Sequence, residues 1–280
     1  MIQEHRNIFL RIISILVLAP IVLGAIIWEC AEGEPNVAFS LLVAAIGGVM
    51  SWEWSKMVCN NESSVATTLA VMSGSIAFMT KDHPALALCF VAFTAAFIYL
   101  VFGRHVLTAF GAFYIGIPLL SFVYIAYYSG AGETDLAYSP IYVLWVLFVV
   151  WATDVGGYMF GKTIGGPKLM PKVSPKKTWA GLLGGVFFAA AVTYIFVLQM
   201  ASKGVHLPMF YFVLSSIILA FIAQAGDLFE SAIKRSLNIK DSSNLIPGHG
   251  GIFDRVDGLL FVAPVVALFV YLSAAGLLEM

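Results

Sequence analysis

The chain has 280 residues, of which 60% are hydrophobic and only 11% are charged, and its mean hydropathy is +0.93. A soluble globular domain is about half apolar and about a quarter charged, so this composition excludes that class and indicates a chain that lies in a lipid bilayer. The net charge of −1 says little about partners, and we expect no nucleic acid among them.

Hydropathy along the chain predicts nine membrane spans. A membrane-crossing helix needs about 20 mostly apolar residues. Such stretches lie at 8–28, 37–55, 66–80, 84–102, 107–128, 139–160, 179–200, 208–226 and 259–278. Because unsatisfied backbone groups cannot face lipid, we expect an all-α polytopic membrane protein with about nine transmembrane helices.

The distribution of cationic residues predicts the orientation. With a cytoplasmic N-terminus, 13 of the 15 Lys and Arg residues lie in cytoplasmic segments, and only Lys81 and Lys203 lie on the other side. This asymmetry follows the positive-inside rule. Since no long polar extension precedes the first span, we expect a bacterial plasma membrane, with the working face toward the cytoplasm.

The two long cytoplasmic segments, 161–178 and 227–257, both lie in the C-terminal half. We therefore predict that residues 1–138, with about five helices, are a transmembrane scaffold. Residues 139–280 then form the catalytic region.

Asp154 is an acid deep inside the sixth predicted span. A carboxylate at membrane depth is costly and indicates a functional site that faces the helix bundle. The alternative is a structural Asp that is protonated or hydrogen-bonded.

The motif SPKKTW (174–179) places hydroxyls and cations directly before a predicted helix. Ser174, Lys176, Lys177 and Thr178 meet the positive end of that helix, which is a favourable place for a phosphate. For the other lysines of 161–178, which are Lys162, Lys168 and Lys172, contact with anionic headgroups is the favoured explanation.

The stretch GDLFESAIKR (226–235) has four polar residues at helical spacing. If the eighth helix continues through it, Asp227, Glu230, Ser231 and Lys234 share one face. The alternative is a helix whose charges are simply wetted where it leaves the membrane.

The stretch DRVDG (254–258) brings two carboxylates onto one helical face, those of Asp254 and Asp257. Mg²⁺ characteristically takes one or two carboxylates together with substrate phosphates, whereas the alternative is a salt bridge with Arg255 or Lys234.

In the preceding IPGHGG (246–251), glycines permit close approach of backbone N–H groups to an anion. His249 is then either a phosphate donor or the cap of a turn.

Together these residues offer acids for a divalent metal and cations for a polyphosphate, on one face of a membrane. This combination favours phosphoryl or nucleotidyl transfer, which depends on positioning and charge neutralisation. The location in a membrane predicts that one substrate is a lipid.

Residues 231–257 combine S-A-I-K-R, K-D, IPGHGG and D-R-V-D at fixed spacing. This pattern closely resembles the signature of the phosphatidate cytidylyltransferases, also called CDP-diacylglycerol synthases. GDLFES and SPKKTW are also similar to motifs of that family, so the similarity in motifs runs from about residue 151 to 258.

The resemblance implies an enzyme that converts CTP and phosphatidic acid to CDP-diacylglycerol and pyrophosphate with Mg²⁺. It also implies a homodimer and a second, monovalent ion such as K⁺. Its motifs imply that the metal ligands are Asp227, Asp254 and Asp257. They further imply that the phosphates are neutralised by Lys177, Lys234 and Arg235. We place the following residues in the substrate-binding site: Asp154, Ser174, Lys176, Thr178, Lys240, Asp241, His249, Gly250 and Arg255.

Two other classes are weighed against this interpretation. CDP-alcohol phosphotransferases have a D-x-x-D-G-x-x-A-R pattern, but DRVDG is followed here by LLFVAP. A secondary transporter is expected to show internal repeats and broken helices at the bilayer midplane. We find no repeat, and the charges lie toward one face.

Overall fold

The computed structural model describes residues 20–26, 37–103, 105–128, 140–205, 207–246 and 250–277. These ranges contain a short helix at 20–26, here α1, eight longer helices and one two-stranded antiparallel sheet. The longer helices are α2 (Val37–Val58), α3 (Ser63–Met79), α4 (Pro84–Val101), α5 (Val106–Tyr128), α6 (Pro140–Thr163), α7 (Trp179–Ser202), α8 (Met209–Ser236) and α9 (Phe253–Ala274). Seven of them are long and apolar enough to cross a membrane, which confirms the prediction of an all-α polytopic membrane protein.

Of the first predicted span only 20–26 lies within the described residues. The third predicted span, 66–80, corresponds to α3, which with 17 residues is shorter than the seven candidate spans. The helix ends differ most from the predicted spans at α8 and α9. Helix α8 continues to Ser236 and α9 begins at Phe253. Hydropathy ended both helices at their first charges, but those charges pair with protein groups, so the helices continue. The predicted 227–257 segment therefore narrows to a loop at 237–252, here called the α8–α9 loop.

Helices α6 and α7 pack together through glycines. A Cβ atom at Gly156 would lie 2.5 Å from the carbonyl oxygen of Gly184, and one at Gly181 would lie 2.8 Å from that of Gly157. Small residues of this kind let membrane helices approach closely enough for backbone contact. Because this contact holds α6 against α7, it also fixes the two ends of the segment that connects them, residues 164–178.

The connection between α6 and α7 forms a β-hairpin from β1 (Lys168–Met170) and β2 (Ser174–Thr178). The hydroxyl of Thr178 accepts a hydrogen bond from the Gly181 N–H at 3.0 Å and so caps the start of α7. This cap satisfies one of the free N–H groups at the helix N-terminus. The hairpin is therefore attached directly to the end of a membrane helix.

Helix α5 is the most buried of the candidate spans, with 61% of its apolar window inside the protein. It packs on α2, α3, α4 and α9, so it joins the N-terminal helices to the last one. Tyr114 of α5 stacks on Phe253 with ring centroids 5.8 Å apart, and Trp54 of α2 contacts both rings. This aromatic cluster supports the first turn of α9.

Candidate active site

The C-terminal ends of α6 and α8 and the N-terminal ends of α7 and α9 lie at the same end of the bundle, because the four helices alternate in direction. The charges of the C-terminal half collect there. Lys177 of β2 forms an ion pair with Asp227 of α8. Ser231, one helical turn after Asp227, donates a hydrogen bond to it at 3.3 Å. The hairpin therefore places a cation on the polar face of α8.

Strand geometry explains why Lys177 rather than Lys176 reaches this face. Successive side chains of a β-strand point to opposite sides. Lys176 is exposed, whereas the side chain of Lys177 keeps only 17% of its accessible surface. Both lysines were predicted to contribute to the site, but only Lys177 contacts one of its carboxylates.

Lys234 lies between two carboxylates. Its Nζ is 2.5 Å from Oδ1 of Asp254 on α9 and 3.2 Å from Oε1 of Glu230, one turn earlier on α8. The polar stripe predicted for α8 is thus a continuous helical face. It packs on protein, so the alternative of wetted interfacial charges is wrong for Lys234, which is 8% exposed.

Asp254 also orders the α8–α9 loop. Its Oδ2 accepts hydrogen bonds from the backbone N–H of Gly251 at 2.8 Å and of Ser242 at 3.0 Å, and from the Ser242 hydroxyl at 3.0 Å. Gly250 has a φ of +86°, and a Cβ atom there would lie 2.7 Å from the same oxygen. The glycine is therefore required by both its backbone conformation and the closeness of Asp254.

Asp257 and Asp154 border the same cluster. Helix α8 touches α9 at Gly226, where a Cβ atom would lie 2.7 Å from the carbonyl oxygen of Asp257. Asp227 is a charged neighbour of both Asp154 and Asp257. Asp154 lies on α6, so a third helix brings a carboxylate near the cluster.

The other predicted binding residues make fewer contacts with the charged cluster, or none that the structure describes. Arg235 is exposed and donates to the carbonyl oxygen of Ile239 at 3.0 Å. Lys240, Asp241 and Arg255 are also exposed, Ser174 is half-buried in β2, and His249 lies outside the described residues. Within the described ranges no group of three or more His, Cys, Asp or Glu side chains is arranged to hold an ion. The metal role of Asp227, Asp254 and Asp257 stays a prediction.

Sequence reasoning missed Glu53 on α2. This side chain is fully buried and accepts hydrogen bonds from the middle of the α8–α9 loop and from its last residue. One signal was available, because Glu53 lies inside the predicted span 37–55, and a carboxylate within a span indicates a functional site. Glu230 was recognised as part of the polar stripe but was given no role.

Fold and site together define a polytopic membrane protein with buried carboxylate–lysine pairs at one end of its helices. Such an arrangement suits chemistry in which phosphate charge must be neutralised.

The chain belongs to the cytidylyltransferase family, whose model matches residues 9–273. It is 35% identical over 276 residues to a phosphatidate cytidylyltransferase of Brucella melitensis, covering 94% of this chain and 93% of the relative. Relatives with the same name are 33% identical in Rickettsia felis (94% and 92% covered) and 32% identical in Bacillus subtilis (87% and 92% covered). The resemblance found in the motifs is thereby confirmed.

Proposed function

We propose that this chain transfers the cytidylyl group of CTP to phosphatidic acid, giving CDP-diacylglycerol and pyrophosphate. The observation that carries the proposal is the pair of ionic contacts, Lys177 with Asp227 and Lys234 with Asp254, at the end of the bundle that carries the hairpin and the α8–α9 loop. Family membership and the names of the relatives support the same reaction. Lys and Arg enrichment at this end supports a site that faces the cytoplasm.

In the proposed reaction a phosphate oxygen of phosphatidic acid attacks the α-phosphorus of CTP. A new P–O bond forms, the bond from the α-phosphorus to the bridging oxygen of the β-phosphate breaks, and pyrophosphate leaves with that electron pair. The attacking oxygen is already anionic near neutral pH, so no strong general base is required. The main barrier is the repulsion between two polyanions.

The lysines of the cluster reduce that repulsion by neutralising phosphate charge. Lys177 on the hairpin and Lys234 on α8 reach the carboxylate face from different elements. Each is held by a carboxylate, so each cation is positioned before substrate binds. Preorganised charge in a water-poor site is usually the largest single contribution to catalysis of this kind. Asp154 of α6 is a charged neighbour of Asp227, and we expect it to border the bound substrates.

The donor set fits Mg²⁺. Asp227 and Asp257 offer hard oxygen ligands from two helices in contact, and Mg²⁺ needs only one or two carboxylates when phosphates complete its shell. Asp254 accepts from more protein donors than Asp227 or Asp257, with Lys234 on one oxygen and three donors from Ser242 and Gly251 on the other, so we expect its main contribution through Lys234 and the loop. When bound, Mg²⁺ supplies charge neutralisation for the phosphate oxygens.

Two further parts of the proposal, a homodimer and a monovalent ion such as K⁺, rest on the resemblance, and a third, a bacterial plasma membrane, is carried over from the sequence analysis. The bacterial relatives are consistent with the last.

The direct test uses the purified full-length protein in mixed micelles with phosphatidic acid, CTP and Mg²⁺. We expect equimolar pyrophosphate and CDP-diacylglycerol, and no product without CTP, phosphatidic acid or Mg²⁺. Asp227→Asn provides a matched inactive control that keeps the size of the side chain. Pyrophosphate release without a lipid product, or no turnover by the wild-type protein, would refute the proposed reaction.

A further inference from the structure

Glu53 is a buried carboxylate in the N-terminal half, on a helix far in sequence from the proposed active site. We propose that it is a positioning residue, which fixes the α8–α9 loop and through it Asp254 and Lys234. This inference rests on the proposed function. It adds a functional residue outside the motifs that carry the family resemblance.

Glu53 holds the loop at two places. Near the middle of the loop the hydroxyls of Ser243 and Ser242 donate to the carboxylate at 2.6 and 3.2 Å. Where the loop joins α9, the backbone N–H groups of Ile252 and Phe253 donate to it at 2.9 Å each. One side chain thereby ties the middle of the loop to the start of α9.

The second pair of contacts also caps α9. The first N–H groups of a helix have no partner within it, and a negative charge beside them is favourable. The residue at the cap position, Ile252, has no side chain that can accept. Glu53 supplies the acceptor from α2, and the adjacent Trp54 packs on Phe253 with ring centroids 5.9 Å apart.

The loop is built around this carboxylate. A Cβ atom at Gly251 would lie 2.3 Å from Oε1 of Glu53 and 1.9 Å from the Ser242 hydroxyl oxygen. No side chain fits at this position unless the carboxylate or the loop moves. The glycine therefore matches the presence of Glu53 rather than a need for unusual backbone angles.

The Ser242 hydroxyl links Glu53 to the charged cluster. It lies 3.2 Å from Oε2 of Glu53 and 3.0 Å from Oδ2 of Asp254. A hydroxyl has one hydrogen, so it donates to one of these carboxylates at a time. Asp254 in turn holds Lys234. A shift of the loop at Ser242 thus moves the acceptor that positions the lysine.

The contacts of Glu53 identify the informative substitution. Among the described residues it forms no ion pair, and its four donors are neutral groups. Glu53→Gln keeps the shape but replaces one acceptor oxygen by an NH₂ group, which faces donors and cannot accept from them. The substitution therefore disturbs the loop without creating a cavity.

The test compares full-length Glu53→Gln with the wild-type protein in the mixed-micelle assay. We expect kcat to fall by about tenfold or more, as for the loss of a charge-assisted hydrogen bond, while the KM for phosphatidic acid changes little. Glu62→Gln is the matched control, since Glu62 is exposed and its side chain makes no capping hydrogen bond to α3. It should behave as wild type.

Ser243→Ala removes the shortest of the four hydrogen bonds and provides a milder second variant. We expect a several-fold lower kcat per folded molecule and a smaller loss of thermal stability than in Glu53→Gln. The double variant with Glu53→Gln should lose little more than Glu53→Gln alone, because both changes break the same contact.

Three outcomes would overturn the inference: wild-type kcat for folded Glu53→Gln, a lowered melting temperature with unchanged kcat per folded molecule, or, if Glu53→Gln does not fold, wild-type kcat for Ser243→Ala. The proposed function is tested separately, because its failure would be seen as absence of turnover in the wild-type protein.

Discussion

Replacing Lys234 by Met keeps the length of the side chain but removes its charge from between Asp254 and Glu230. The two carboxylates then differ in the hydrogen-bond donors and ion-pair partners that they retain. Asp254 keeps three neutral donors, two from Ser242 and one from Gly251. Glu230 is 1% exposed and loses its ion-pair partner. Removing one member of a buried ion pair costs about 3–5 kcal/mol, so we expect Lys234→Met to be clearly less stable and inactive.

The second variant separates stability from catalysis. In Lys234→Met/Glu230→Gln the uncompensated carboxylate is gone, so we expect the melting temperature in detergent to return most of the way to the wild-type value. Turnover of CTP should stay at background, because the cation itself is still missing. Two results would refute this reasoning: normal turnover by Lys234→Met, or recovery of both stability and turnover in the double variant. The second would show that Lys234 only neutralises Glu230.

Three further predictions follow from the same contacts. Asp227→Asn should abolish turnover while membrane insertion persists, and near-normal product formation at saturating Mg²⁺ would remove this residue from the proposed metal site. Lys177→Ala should raise the KM for CTP or for lipid by about tenfold, consistent with the loss of one charge-assisted contact. The control Lys176→Ala should change neither KM by more than about twofold. Equal effects of the two substitutions would contradict the assignment of Lys177 made from strand alternation. Gly184→Leu should greatly reduce the amount of folded protein recovered from membranes, because a Cβ atom there would lie 2.4 Å from Phe160, while Gly74→Leu, with open space around it, should be recovered in wild-type amounts.

The sequence was most informative where function depends on local spacing. Asp227, Glu230 and Lys234 share a face because three and four residues span one helical turn, and this holds wherever the helix lies. Hydropathy could not find the end of that helix. It averages over side chains and takes charge as the end of a span, whereas α8 continues to Ser236 because Lys234 finds carboxylate partners inside the protein.

Contacts between distant segments were beyond the reach of local patterns. The choice of Lys177 over Lys176 depends on a two-stranded hairpin within a segment that composition describes only as a lysine-rich loop. The same segment includes Thr178, which was predicted to meet a phosphate and caps α7. A hydroxyl before a helix is expected for either role, so the sequence alone did not separate them.

The contacts of Glu53 join the two regions into which the sequence divides the chain, the scaffold of 1–138 and the catalytic region of 139–280. A helix that only filled membrane space would have no use for a buried carboxylate, since burying a charge is costly unless donors surround it. All four donors to Glu53 lie 189–200 residues away along the chain, in and next to the α8–α9 loop. Without the loop the Glu53 carboxylate loses its hydrogen-bond donors, and without Glu53 those donors lose this acceptor. We therefore expect α2 and the start of α9 to order together. The activity proposed for the C-terminal half therefore depends on a residue of the N-terminal half.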